Sequence, residues 1–185
     1  LITYAKILNL ITINCVKILK FMKNIMVTGG AGYIGSHIVE LLVKKNFKVL
    51  IIDDLSGGHK KLINKKAKFI KCNINQTSLI KKIIEKNKID SIIHLAARAH
   101  IIEDSSNNPI CEFRRVNRNA TIRLAEGAVA TGVKRFIYAS SSSVYGIKEE
   151  RDVHEGMTVE PLTDYSRFKA DCEQILLRNQ SPEFT

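Results

Sequence analysis

The sequence has no tryptophan, only three prolines in 185 residues, and few aromatic side chains of any kind, 6% of the chain. Proline and glycine are too scarce for a collagen-like or low-complexity chain, and an apolar share of 45% is too high for intrinsic disorder. Cysteine is sparse too. Cys15, Cys72, Cys111 and Cys172 lie far apart with no C-x-x-C pair, which suggests neither a zinc site nor a disulfide framework and fits a reducing, cytoplasmic setting; no metal is expected. Uninterrupted apolar runs of membrane-spanning length are also missing. The most apolar stretch, residues 1–21, is broken by Lys6, Asn9, Asn14, Lys17 and Lys20 and offers no small-residue cleavage site, so it reads as neither span nor signal peptide. Met22 directly precedes a clean strand pattern, so residues 1–21 are expected to be a non-native or disordered extension and 22–185 the folded domain.

Acidic residues are in deficit, 18 against 29 Lys and Arg, for a formal charge of +11. Such an excess invites a nucleic-acid reading, because phosphate neutralisation dominates that kind of binding. The distribution speaks against it. Lys60, Lys61, Lys65, Lys66, Lys68 and Lys71 are scattered through Ile- and Asn-rich sequence without a nucleic-acid fold signature, as on a solvated surface. Neither nucleic acid nor a membrane is an expected partner.

From Lys23 onward, short β-rich runs alternate with longer helical segments. Strands are expected at Asn24–Thr28, Lys48–Asp53, Lys68–Cys72, Ser91–Ala96 and Arg135–Ser140, each nearly continuous in apolar residues, as in a sheet buried on both faces. Helices are expected at Tyr33–Lys45, Thr77–Lys88, Pro109–Thr131 and Thr163–Arg178. The alternation gives an α/β fold, a doubly wound parallel sheet of Rossmann type. Its last strand is expected to lack a neighbour and to leave an exposed edge.

Thr28-Gly29-Gly30-Ala31-Gly32-Tyr33-Ile34-Gly35 follows the first strand and opens into a helix. Gly29 permits the tight turn, Gly32 lets backbone N–H groups approach a pyrophosphate at the helix start, and Gly35 lets helix and sheet pack closely. A glycine turn can be merely structural. The second strand, however, ends in Asp53-Asp54, about 20 residues on, where a carboxylate can accept from an adenosine ribose and two carboxylates repel a 2′-phosphate. NAD is therefore expected rather than NADP.

Tyr165 and Lys169 are four apart and share a helix face. Alone the pair says little. The fifth strand, though, runs out in Ser140-Ser141-Ser142-Ser143-Val144-Tyr145-Gly146, which places hydroxyls at the sheet edge where open α/β folds bind ligands. A free phenol is a poor base at neutral pH, but the Lys169 ammonium and a nicotinamide cation nearby would favour phenolate and lower its pKa.

These motifs resemble the extended short-chain dehydrogenase/reductases, specifically nucleotide-sugar epimerases and dehydratases of the UDP-glucose 4-epimerase type. The resemblance runs from about Met22 to the end, through TGGAGYIGSH (Thr28–His37), IIDDLSGG (Ile51–Gly58), IIHLAA (Ile92–Ala97), RRVNRNAT (Arg114–Thr121), SSSSVYG (Ser140–Gly146) and DYSRFK (Asp164–Lys169). It implies that Gly29, Gly32, Tyr33, Ile34 and Gly35 line the pyrophosphate, with Asp53 and Asp54 at the adenosine ribose and Asn73 and Ile74 at adenine. Leu95, Ala96, Ala97 and Arg98 would pass behind the cofactor, with Asn117 the Asn of the family's helix motif. Ser141, Tyr165 and Lys169 would be catalytic, Tyr165 and Lys169 also touching NAD.

The implied reaction is epimerisation of a UDP-sugar through a transient keto intermediate, by an enzyme that is a homodimer in its full-length form. A dehydratase would carry Asp-Glu after the catalytic hydroxyl, where this chain has Ser142 and Ser143. A reductase of the same family and a non-catalytic NAD-binding fragment are the other readings. Asn73 stands where the family usually has Asp, and Ala120 where it has Gly. Family members exceed 300 residues, so the substrate-binding C-terminal lobe is expected to be absent.

Overall fold

A computed structural model describes residues 23–98, 109–149 and 153–185, so the expectation for 1–21 lies outside the described residues. Five strands, β1 (Asn24–Thr28), β2 (Lys48–Asp53), β3 (Lys68–Lys71), β4 (Ser91–His94) and β5 (Arg135–Tyr138), form one parallel sheet in the order β3-β2-β1-β4-β5. The order reverses between β1 and β4. That switch point opens the crevice in which doubly wound sheets bind ligands.

Alternation along the strands divides the core into two layers. Ile25, Val27, Val49, Ile51 and Ile93 face α1 (Tyr33–Lys44) through Ile38, Val39 and Leu42. Met26, Leu50, Ile52 and Ile92 face the opposite way, onto Ile80, Ile83 and Ile84 of α2 (Thr77–Asn87) and Leu124 and Ala128 of α4 (Thr121–Ala130). Helices on both faces leave the central strands fully buried, which is why these runs read as continuously apolar.

Three expected strands end early, for one shared reason. At their carboxyl ends, side chains and loops take over the backbone groups. Leu95 N–H still reaches the Thr28 carbonyl at 3.1 Å, but Ala96 N–H turns to the Thr28 hydroxyl at 3.3 Å. The Ala139 carbonyl is claimed by Lys169 Nζ at 2.6 Å. Cys72 N–H makes a last bond to the Asp53 carbonyl at 3.1 Å before the chain turns.

The expected helix Pro109–Thr131 is a composite. Short α3 (Pro109–Phe113) passes into a π-helical turn, Arg114–Ala120, and then into α4. The final helix, α5, spans Asp164–Arg178 and is capped by Thr163, whose Oγ1 accepts from Ser166 N–H while Ser166 Oγ accepts from Thr163 N–H. The β5 edge is not bare, in correction of the expectation above. Thr185 N–H donates to the Lys134 carbonyl at 3.1 Å, and the Thr185 carbonyl accepts from Phe136 N–H at 2.8 Å. Buried Phe184 meets Phe136 with ring centroids 6.2 Å apart.

Candidate active site

The loop after β1 turns on Gly29, whose φ of +71° and close approach to Ala96 suit glycine alone. A Cβ on Gly35 would run into the Gly29 carbonyl and lie 2.7 Å from Gly30 Cα. Helix α1 then starts at Gly32 with no side-chain cap and no acidic residue in its first turn. Its first N–H groups carry the positive end of the helix dipole toward the crevice.

A cleft of about 190 Å³ opens over this loop. Gly29, Gly32, Asp53, Asp54, Asn73, Ile74, Leu95, Ala96, Ala97 and Arg98 all line it. Exposed Tyr33 and Ile34 are not among the lining residues, and buried Gly35 is a packing residue. Asp53 is more embedded than expected. Its Oδ2 accepts from Ala31 N–H at 3.0 Å and its Oδ1 from Leu55 N–H at 2.8 Å, which fastens the β2 loop to the glycine loop. Asp54 accepts from Ser56 N–H and Oγ and, at 2.6 Å, from Asn73 Nδ2. The missing family Asp at 73 is therefore matched by a carboxylate one hydrogen bond away.

Asn117 does not line the cleft. Buried in the π-turn, it brackets the β4 loop: Oδ1 accepts from Arg98 N–H and Nδ2 donates to the Arg98 carbonyl, both at 2.8 Å. The sequence reading missed the other lining residues. Ser56, Gly57 and Gly58 stand within the motif Ile51–Gly58 and Arg115 and Val116 within Arg114–Thr121, but the helix period hides the π-turn that aims the latter pair.

Beneath the switch point, His94 ties three elements together. Ala96 N–H donates to Thr28 Oγ1, which lies 2.6 Å from His94 Nδ1; His94 Nε2 lies 2.8 Å from Thr121 Oγ1, which donates to the Asn117 carbonyl at 3.0 Å. Thr121 spends its proton on that carbonyl, so Nε2 carries the ring proton and Nδ1 accepts from Thr28. Burial, aided by the Lys169 charge, pushes the His94 pKa down to about 3, which keeps the ring neutral.

On the far side of the crevice, α5 carries Tyr165 and Lys169. Buried Lys169 Nζ, bonded to the Ala139 carbonyl, sits 4.5 Å from the Tyr138 ring centroid and 5.7 Å from that of Tyr165. Burial lowers its pKa to about 8. Ser141 follows two residues after Ala139, its Oγ 2.8 Å from Ser143 Oγ and accepting from Ser143 N–H to start the 3-10 turn Ser142–Tyr145. Neighbouring Ser140 Oγ and the Tyr138 hydroxyl are buried without hydrogen-bond partners among the described residues. Burial pushes the Tyr165 phenol up, not down. The lowering expected from Lys169 is thus outweighed by desolvation within the chain itself.

Among the described residues there is no cluster of His, Cys, Asp or Glu able to hold a metal ion, and no helix long and apolar enough to cross a membrane.

Residues 25–181 match the model of the NAD dependent epimerase/dehydratase family. The chain is 36% identical over 152 residues to a UDP-glucose 4-epimerase of Lactobacillus helveticus, covering 82% of this chain and 46% of that protein. It is 37% identical to a putative UDP-glucose 4-epimerase of Methanocaldococcus jannaschii, with 82% and 49% covered. Among solved structures, the UDP-Glc/GlcNAc 4-epimerase of Campylobacter jejuni aligns with a TM-score of 0.80 at 31% identity, over 88% of this chain and 51% of that one. The UDP-glucose 4-epimerase of Brucella ovis in complex with NAD aligns at 0.78 and 30% identity, over 84% and 47%. The chain spans about half the length of the curated relatives it matches.

Proposed function

Since the chain belongs to the NAD dependent epimerase/dehydratase family, we propose that it binds NAD in the β1–β2 cleft and serves the epimerisation of a nucleotide sugar of the UDP-sugar class. The cleft fits the cofactor on its own features. Helix α1 starts uncapped, Gly29 and Gly35 stand where any Cβ would collide, and two carboxylates close the ribose end. When bound, NAD supplies a hydride acceptor that later returns the hydride to the sugar ring.

The chain's own residues handle the proton. Tyr165 takes it from the ring hydroxyl as the carbonyl forms and gives it back when the carbonyl is reduced on its other face. Lys169, fixed by the Ala139 carbonyl, keeps a positive charge beside the phenol, to which a bound nicotinamide cation would add against the effect of burial. Ser141 donates to the same sugar oxygen once it exchanges its bond with Ser143. The observation that carries this reading is Lys169, on one helix face with Tyr165, anchored to the Ala139 carbonyl just past β5 and two residues before Ser141. Ser142 and Ser143 in place of carboxylates favour epimerisation over dehydration. Self-association would use the helices Pro109–Ala130 and Asp164–Arg178, which expose Ile110 and Leu177. Buried thiols at Cys72 and Cys172, outside any disulfide, agree with a cytoplasmic setting.

Calorimetry with NAD on the chain and on Gly32→Asp tests the cofactor half: saturable binding lost in the variant is expected, and a folded wild type that binds nothing overturns it. Turnover of a UDP-hexose, followed as conversion to its 4-epimer, tests the rest. NAD binding without turnover would leave the chain a cofactor-binding module.

A further inference from the structure

The cleft is also lined by Arg115 and Val116, which belong to neither glycine loop nor ribose site. We propose that Arg115, forked onto Glu112, forms the opposing face of the adenosine slot: a flat plate for the purine base whose charge is already committed and so is withheld from a 2′-phosphate. The inference rests on the dinucleotide reading of the cleft.

Three contacts fix the guanidinium. Arg115 Nε donates to Glu112 Oε1 at 2.8 Å and Nη2 to Oε2 at 2.6 Å, the side-by-side geometry that sets the plane of the group. The amide orientation that gives Arg115 Nη1 an acceptor turns Asn75 Oδ1 to it at 3.0 Å and Nδ2 to the Arg115 carbonyl at 3.1 Å, in exchange for the bond from Asn75 Nδ2 to Asn73 Oδ1. Each guanidinium nitrogen therefore has a partner before any ligand arrives, and little side-chain freedom is left to lose on binding. Arg115 and Val116 line the cleft together with Asn73 and Ile74, and the Asp54 charge stabilises the guanidinium electrostatically. Helix α3 ends one residue earlier and the π-turn begins at Arg114, so the widened turn is what places consecutive residues 115 and 116 on this wall.

A guanidinium plane stacks well on an aromatic face. Here Glu112 balances its charge. A phosphate on the ribose would meet Asp53 and Asp54 while the guanidinium opposite is held by a third carboxylate. Selectivity for NAD over NADP would then depend on Glu112 as well as on the carboxylates at the end of β2.

The test is titration of the 185-residue chain with NAD, ADP and NADP, for wild type, Arg115→Ala and Glu112→Gln, with thermal melts to establish folding. Arg115→Ala is expected to weaken NAD and ADP alike, by about tenfold. Glu112→Gln is expected to raise NADP affinity relative to NAD by about tenfold, because the guanidinium is released toward the phosphate. Should Arg115→Ala fail to fold, the Glu112→Gln ratio decides alone. An NADP-to-NAD ratio unchanged in Glu112→Gln, or NAD and ADP binding unchanged in folded Arg115→Ala, overturns the assignment while the dinucleotide reading stands. Wild type that binds neither NAD nor ADP overturns both.

Discussion

Helices α1 and α5 both begin at the carboxyl edge of the sheet, but on different terms. Helix α1 starts with no side-chain cap and no acid in its first turn; α5 starts with the reciprocal Thr163–Ser166 box and Asp164. A helix start capped by its own side chains has no use for an anion, whereas one without a side-chain cap leaves room for an external acceptor. The contrast divides the labour of the site. One wall is backbone left open for a charged ligand, and the other is backbone closed off so that Tyr165 and Lys169 are held in place.

The sharpest way to break this contrast is at Gly35. Gly35→Ala drives a methyl into the Gly29 carbonyl, and a loss of about 3 kcal/mol or more is expected, with no NAD binding in calorimetry. The second expectation concerns the seam between the walls. His94 has a folded pKa depressed to about 3 against 6.5 for the free group, so the unfolded chain takes up the proton first as pH falls. Stability is full above pH 6.5 and declines toward pH 3, by about 3 kcal/mol at pH 4 from this group, measurable as a falling urea midpoint. His94→Gln should flatten that slope, whatever it does to stability at pH 7.

On the closed wall the sign is the same but the window lies at higher pH. Lys169 has a folded pKa of about 8 against 10.5, so holding it charged at pH 7 costs stability, and the cost vanishes as pH rises past 10.5. Lys169→Met is expected to stabilise the fold at pH 7 by about 1 kcal/mol while abolishing any turnover; a lower melting temperature would contradict this. The smallest effect is at the cap. Thr163→Ala should cost about 1 kcal/mol in chemical denaturation and leave NAD affinity unchanged, because α5's start faces no anion.

Much of this was legible in the residues. Strands β1 and β2 match their predicted limits because burial on both faces makes them continuous apolar runs, β1 set between Lys23 and Gly29 and β2 bounded by Lys48 and Asp53. The glycine loop and the Asp pair were legible because only a few residue types can make those turns and contacts. The later strand ends were not: whether Ala96 or Ala139 continues a ladder depends on the Thr28 hydroxyl and on Lys169, both distant in sequence. Nor was the π-turn. Phe113, Val116, Ala120 and Leu124 repeat at three- and four-residue intervals, so the segment reads as unbroken α-helix, and Arg115 reads as one more surface charge.

That widened turn also bears on how such a site arises. A helix can absorb a surplus residue by loosening one turn, and such turns gather at functional sites. Residues on either side of such a turn are rotated against each other, while Leu124 and Ala128 beyond it still pack in the core. Arg115 and Asn117 both lie within Arg114–Ala120, so one loosened turn aims the cleft residue and the bracket of the β4 loop together. Deleting one residue there would shift both at once, a frame change within a single helix that leaves the sheet untouched.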